Sequence, residues 1–251
     1  MVASLRVYGE LNDFLPAADR YQTLVCPFDR GATVKDFIES HGVPHTEIDL
    51  VLVNGESVDF GCPLNDGDRV AAYPVFEAFD IAPVTRVRPE PLRVTRFVID
   101  VHLGRLARYL RLAGFDTLYD RQLDDGDLAE VSRAEKRVLL TRDQGLLKRR
   151  SVTHGYFVRS TVPARQLAEV VARFDLRRLV RPFSRCMSCN GLLLAADRAD
   201  VEADVPARSC QHFDAFLRCS SCRRVYWQGS HYPHLKQILS SALDSGEPAA
   251  D

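Results

Sequence analysis

Apolar and polar positions change their period twice along the chain. Over the first 80 residues they alternate in twos. Ser4-Leu-Arg-Val-Tyr8, Tyr21-Gln-Thr-Leu-Val-Cys26, Ile48-Asp-Leu-Val-Leu-Val53 and Arg69-Val-Ala-Ala-Tyr73 each read as a strand with one covered face. One helical interval breaks the alternation: Thr33 is placed to N-cap a helix carrying Val34, Phe37 and Ile38 on one side. Asn54-Gly55, directly after the third run, is a hairpin signal, and Asp66-Gly-Asp68 turns the chain into the fourth. From residue 97 short apolar runs alternate with helix-period segments. Phe97-Val-Ile99 precedes a helix from Leu103 to Ala113, and Asp116-Thr-Leu-Tyr119 precedes one from Asp127 to Lys136. Val138-Leu-Leu-Thr141 leads into a short helix near Gly145 to Arg149, and Gly155-Tyr-Phe-Val158 into a helix from Pro163 to Phe174. Repeated βα units predict an α/β fold, a parallel sheet with helices on both faces.

Between these regimes, residues 81–96 place Pro83, Pro89 and Pro91 among Arg86, Arg88, Arg93 and Arg96, which predicts a semi-extended linker. The expected organisation is a β-strand-rich domain over 1–80, the linker over 81–96, the α/β domain over 97–180 and a tail module over 181–240. Residues 241–251 are expected to fray.

Cysteine spacing explains the tail. Cys186-Met-Ser-Cys189 and Cys219-Ser-Ser-Cys222 are two C-x-x-C pairs with 29 residues between them, enough chain for a small β-ribbon. Two knuckles with converging sulfurs supply the four soft ligands that tetrahedral Zn²⁺ prefers, and a four-Cys site is closed to substrate and structural. Cys210 and His212 lie between the knuckles, but the paired spacing favours Cys186, Cys189, Cys219 and Cys222 as the zinc ligands. Cys26 and Cys62 read as small buried apolar residues.

Composition is ordinary for a soluble globular chain of 251 residues, with 46% hydrophobic and 27% charged side chains. No apolar stretch approaches the length of a membrane span, no secretory leader pattern is present, and the cysteines do not form a secreted disulfide framework. A cytoplasmic, reducing setting and no membrane partner are therefore expected. The net charge of −1 hides an asymmetry: residues 1–83 hold 5 basic and 14 acidic side chains, net −9, whereas 84–150 carry net +5 and 151–251 net +3. A basic body beside an acidic head suggests that the body meets a polyanion, and that the head docks on it intramolecularly.

Candidate chemistry sits where the apolar runs of the α/β region end. In an open parallel sheet, ligands bind beyond the carboxyl ends of the strands. Asp100 ends the first run, Asp120, Asp124 and Asp125 follow the second, and Asp143 follows the third. Asp124 and Asp127 suit helix capping. Asp100, Asp125 and Asp143 suit hard divalent cations, because clustered carboxylates repel unless cations neutralise them, and Mg²⁺ or Mn²⁺ prefers oxygen ligands. On the helix after Asp100, Leu103, Leu106, Ala107 and Leu110 share one face. Arg105, Arg108 and Arg111 are expected opposite, where guanidinium groups would hold phosphates. Arg223 and Arg224, interleaved with Tyr226 and Trp227, extend this basic surface and place aromatic rings beside it.

Two resemblances follow from these residues. The ββαββ order of the head, with Val53-Asn-Gly55 and Asp66-Gly-Asp-Arg-Val70, resembles the β-grasp of ubiquitin-like sulfur carriers. Those carriers finish in an exposed Gly-Gly; here the segment continues through Pro74-Val-Phe-Glu77, so sulfur transfer is not expected. The second resemblance rests on several motifs together. They are Asp100-x-x-Leu-Gly-x-Leu-Ala-Arg-Tyr-Leu-Arg-Leu-Ala-Gly-Phe-Asp116, Asp125, Arg137-Val-Leu-Leu-Thr-Arg-Asp143, Arg185-Cys-x-x-Cys-Asn190 and Tyr226-Trp-x-Gly-Ser-His231. Residues 97–235 resemble the Mut-seven C-terminal ribonuclease family, a branch of PIN-like nucleases with an appended zinc ribbon. The resemblance implies metal-dependent hydrolysis of RNA, with Asp100, Asp125 and Asp143 as the acidic site. It departs after the fourth strand, where PIN nucleases often carry a further acid and this chain offers only Ser160 or Thr161. The competing expectation is a non-catalytic RNA-binding adaptor with a structural acidic cluster.

Overall fold

The computed structural model describes residues 1–74, 81, 83–87 and 95–244. In chain order the elements are β1 (Val2–Val7), β2 (Thr23–Pro27), α1 (Val34–Ser40), β3 (Leu50–Val53), β4 (Glu56–Ser57) and β5 (Arg69–Tyr73). They continue with β6 (Phe97–Ile99), α2 (Gly104–Leu112), β7 (Thr117–Leu118), α3 (Asp125–Ala134), β8 (Val138–Thr141), α4 (Gln144–Leu147), β9 (Gly155–Phe157) and α5 (Pro163–Arg173). The tail adds β10 (Leu193–Ala196), α6 (Arg198–Val201), α7 (Ala207–His212), β11 (Phe216–Cys219), β12 (Val225–Trp227) and α8 (Tyr232–Asp244). Half of the expected linker, residues 82 and 88–94, lies outside the described residues, as do residues 245–251 of the tail expected to fray; residues 241–244, also expected to fray, instead form the end of α8. The chain forms two compact units, each discontinuous in sequence: residues 1–94 with 125–157, and residues 95–124 with 158–251.

The first unit opens with a five-stranded sheet ordered β2-β1-β5-β3-β4, in which β1 and β5 run parallel and the other neighbours antiparallel. This is the β-grasp arrangement. Thr33 caps α1 through a reciprocal box with Asp36, and Val34, Phe37 and Ile38 are buried beneath it. Asn54 and Gly55 both take positive φ (53° and 94°), the requirement of a tight turn between twisted strands, so Asn-Gly fixes the β3–β4 hairpin. Asp68 then fastens that turn, accepting from Asn54 Nδ2 at 2.7 Å and from the Asn65 backbone at 2.8 Å. Part of the expected linker is tied to this domain: Val87 joins its core, and Thr85 Oγ1 donates to the Asp49 carbonyl at 2.5 Å.

Residues 125–157 pack with the β-grasp. Strands β8 and β9 pair in parallel, with Leu140 opposite Tyr156. The turn at His45–Glu47 meets them: buried Glu47 accepts from the Phe157 backbone N–H at 2.6 Å, and His45 Nε2 lies 2.9 Å from the Val152 carbonyl. Lys148 donates to the Glu39 carbonyl, and Phe14 packs edge-on against Phe157. These contacts are hydrogen bonds to backbone groups and ring packing. Replacing Glu47 with Ala leaves the Phe157 N–H without its acceptor. A stability loss of about 2 kcal/mol is expected, read as a lower urea midpoint at unchanged slope.

In the second unit β6 pairs in parallel with β7, Phe97 opposite Thr117. Fully buried Phe97 makes edge contacts with Phe115 and Phe174, joining the β6 layer to α5. Gly114 ends the α2 turn at φ 98°, and a side chain there would strike the Arg181 carbonyl, so glycine allows two backbones to meet. The ribbon β10-β11-β12 is antiparallel throughout. Cys210, with Val201, Val205 and Phe216, forms its small core. Among the described residues no helix is long and apolar enough to cross a membrane.

Candidate functional site

The four cysteines of the paired knuckles converge. Their sulfurs lie within 4.8 Å of one another, with Cys186 to Cys222 at 3.6 Å and Cys189 to Cys219 at 3.4 Å. A tetrahedral Zn²⁺ with Zn–S of about 2.3 Å sets its sulfurs about 3.8 Å apart, so this donor set fits zinc. Each knuckle is the same turn: Cys186 N–H donates to the Gly191 carbonyl and Cys219 N–H to the Arg224 carbonyl. The residue after the second cysteine, Asn190 or Arg223, takes positive φ (72° and 63°) in both. The N–H groups of Ser221 and Cys222 point at Cys219 Sγ, 3.4 Å each, as donors to a thiolate. Cys189 and Cys222 are shifted in opposite directions. Burial works against the Cys189 thiolate, but donors from the Gly191 backbone and the neighbouring thiols outweigh it and bring its pKa down to about 6. At Cys222 the Arg224 backbone donor is outweighed by burial and the same sulfurs, which push it up to about 12. The Tyr226 hydroxyl lies 3.1 Å from Cys186 Sγ; burial first, and this contact second, push its pKa up.

The first knuckle is fastened to the α/β layer. Arg111, expected on the solvent face of α2 as a phosphate contact, is instead buried. Its Nε donates to the Thr117 carbonyl at 2.9 Å and its Nη1 to the Ser188 carbonyl at 2.8 Å, with Met187 O at 3.4 Å. Burial pulls the guanidinium pKa down, against the opposing pull of Cys186, Cys189 and Asp116. Asn190 completes the joint: its amide donates to Asp116 Oδ1 at 2.9 Å and accepts from the Thr117 N–H at 3.0 Å. Arg185 adds an ion pair to Asp116 at 3.4 Å. Arg111 is thus a joint between the helix and the first knuckle, not a side chain on the solvent face. Changing it to Met should cost about 3 kcal/mol, because buried carbonyls lose their donor, and should speed zinc release to a chelating dye.

The other arginines of that helix remain available. Arg105 and Arg108 are exposed and, with Arg121, Arg224 and His102, line a cleft of about 780 Å³ within the second unit. Arg111 forms part of its wall, together with Tyr119 and Gln166. Arg121 was not singled out by the helical pattern, since it lies in the loop beyond β7. Arg223 is exposed but outside this lining.

Each aspartate sits at an element end. Asp100 follows β6, is buried, and accepts from the His102 N–H at 3.5 Å. Asp125 is the first residue of α3, half exposed, 3.7 Å from Arg149. Asp143 follows β8 and N-caps α4, its Oδ1 accepting from Gly145 and Leu146. Asp100 belongs to the second unit; Asp125 and Asp143 belong to the first. Beyond β9, the loop with Ser160 contains no acid, but Glu169 of α5 reaches it. Its two oxygens accept from the N–H groups of Arg159 and Ser160, at 2.6 and 3.0 Å.

Comparison with known proteins decides the family. The model of the Mut7-C RNAse domain matches residues 95–239, more than half of the chain, and that of the Mut7-C ubiquitin domain matches residues 1–80. The chain belongs to the Mut7-C family. No curated protein matches it. Among solved structures it is similar to SAMP1 from Haloferax volcanii, at 22% identity over 32% of this chain and 100% of that one, TM-score 0.26. It is also similar to small archaeal modifier protein 1 of H. volcanii, at 25% identity over 29% and 95%, TM-score 0.24. The RNAse match indicates a nuclease-like function with RNA as the substrate class. Within the Mut7-C segment, the conspicuous Phe115-Asp116 and Cys189-Asn190 pairs are two sides of the one joint described above. Tyr226, beside the Cys186 sulfur, is the metal-site residue that spacing alone did not reveal.

Proposed function

We propose that the chain is a metal-dependent ribonuclease in which Asp100, Asp125 and Asp143 hold Mg²⁺ or Mn²⁺, and Arg105, Arg108, Arg121 and Arg224 hold the phosphates. Arg223 extends this surface. One observation carries the reading: all three aspartates fall inside the RNAse match, two of them directly beyond the carboxyl ends of parallel strands. Their carboxylate oxygens are the hard donors those ions prefer. Divalent ions held there would activate water for attack on phosphorus and stabilise the leaving oxygen. The protein groups act around that chemistry. Asp143 keeps Oδ1 on the α4 amides, which fixes the direction of Oδ2. The arginines orient the RNA backbone by charge-assisted hydrogen bonds. The four-Cys site, by this reading, holds structural Zn²⁺, and the division into β-grasp, linker, nuclease and ribbon follows residues 1–80, 81–96, 97–180 and 181–240.

A non-catalytic RNA adaptor draws on the structural roles of the same acids, since Asp143 caps a helix and Asp125 faces Arg149. Zinc-loaded protein incubated with single-stranded RNA and with a small chromogenic phosphate ester separates the readings. Cleavage of RNA only on addition of Mg²⁺ or Mn²⁺, with the ester untouched, supports the nuclease. Salt-sensitive RNA binding without turnover supports the adaptor, and ester hydrolysis overturns both.

A further inference from the structure

Beside the basic cleft the second unit contains a larger space that phosphate binding does not use. It measures about 980 Å³ and is enclosed by β11 and β12 of the ribbon, by α8 and by one side of α2. Its walls are aromatic: Tyr109, Phe183, Phe213, Tyr226, Trp227 and Tyr232 all face it. Phe183 and Tyr232 stack on each other, centroids 4.9 Å apart, so one side of the space is a stacked aromatic pair. On another side the Trp227 indole lies over Gly229, where a side chain would fall 2.8 Å from Nε1, so the absence of a side chain leaves room for that ring. Four residues, Arg105, Arg108, Met187 and Tyr226, line both this space and the basic cleft. The two therefore share an edge, and two guanidinium groups stand on it. Neither lining contains an Asp or Glu, although the chain carries 34 of them. Flat aromatic walls beside a carboxylate-free cationic edge match one kind of ligand: a polyanion that carries flat rings.

We propose that this cavity receives unpaired bases of an RNA strand whose phosphates lie on Arg105 and Arg108, with Trp227 as a stacking residue. This rests on the RNA-directed reading above and deepens it, since it makes the substrate single-stranded where it crosses the ribbon. Binding sites for small organic ligands run from about 300 to 1,000 Å³, so the space accepts more than one base. Bases stack on aromatic side chains whatever their sequence, because each has a π face, while the phosphates supply position and salt dependence. A duplex hides those faces and presents only backbone.

The chain has a single tryptophan, so indole emission reports on this cavity alone. The full-length, zinc-loaded protein is titrated, without added Mg²⁺ or Mn²⁺, with a short single-stranded RNA and with an abasic oligonucleotide of equal length and charge. Affinity for each is measured in parallel by anisotropy of an end label. The ordinary RNA is expected to change Trp227 emission saturably, with the dissociation constant that anisotropy gives. The abasic strand should bind about tenfold or more weakly and leave emission unchanged. Exposed Ala215 also lines the space. Ala215→Phe fills the mouth from outside the core and should bring ordinary RNA down to the abasic level, at unchanged zinc content. Equal affinity for both strands with silent emission overturns the base pocket while leaving metal-dependent cleavage intact. Emission that follows protein concentration without RNA overturns it in favour of self-association. Failure of both strands to bind overturns the RNA reading as well.

Discussion

Replacing Cys219 with Ser is expected to empty the metal site and to lower the thermal midpoint more than Glu47→Ala or Arg111→Met. Cys219 is fully buried, its sulfur receives two backbone N–H groups, and it lies 3.4 Å from Cys189 Sγ. A hydroxyl is a poor ligand for a soft site, and the two amide donors lose the charged sulfur they point at. Structural zinc sites contribute roughly 10 kcal/mol or more of apparent binding free energy, which in a ribbon with so small a hydrophobic core is folding free energy. That core is five buried residues, Val201, Val205, Cys210, Phe216 and Val225. Bound zinc per chain should fall close to zero, and the ribbon's contacts through Asn190 and Arg111 should be lost with it. Full zinc occupancy with an unchanged melting curve in Cys219→Ser would show that the four sulfurs are not the ligand set.

The second large effect concerns Asp143. Asp143→Asn is expected to reduce RNA cleavage by about 10³-fold or more, some 4 kcal/mol of transition-state stabilisation, because an amide oxygen neutralises no divalent charge. The fold should survive the change. Asn is as good an N-cap as Asp, and its side-chain oxygen can accept from the same Gly145 and Leu146 N–H groups. RNA affinity should stay equal or rise, since a negative charge is removed from beside a polyanion. Activity, melting temperature and binding measured together test this. Cleavage that still requires Mn²⁺ and proceeds at the parent rate in Asp143→Asn would remove Asp143 from the acidic site.

Much of this architecture was legible because the informative signals are local. Phe97–Ile99, Val138–Thr141 and Arg69–Tyr73 are strands with the limits that apolar runs indicated, and Thr33 caps α1 as its position before Val34 suggested. The cysteine spacing likewise specified a cluster that the folded chain forms. Arg111 departs from its expected solvent-facing position for a geometric reason. It follows Arg108 by three residues, but it also follows Ala107 by four, and so lies at the border of the apolar stripe. Which way it turns is decided by carbonyls at Met187 and Ser188, more than seventy residues away, and no window of helical periodicity contains them. The same holds for Glu169, whose contacts lie in the loop after β9 that it meets. Glu47 and His45 gave no signal either. An isolated β-grasp would leave them at a surface, and they are covered because residues 152–157 pack against them.

The two cysteine knuckles share a backbone but not a task. Asn190 uses its left-handed position to bridge Asp116 and Thr117, whereas Arg223 occupies the equivalent position on the exposed side. A chimera carrying Cys-Ser-Ser-Cys-Arg in both places should therefore still load zinc, yet its ribbon would swing loose from the helix that presents Arg105 and Arg108. In this tail, gripping a metal and being gripped by the rest of the molecule are separable properties, divided between two copies of one turn.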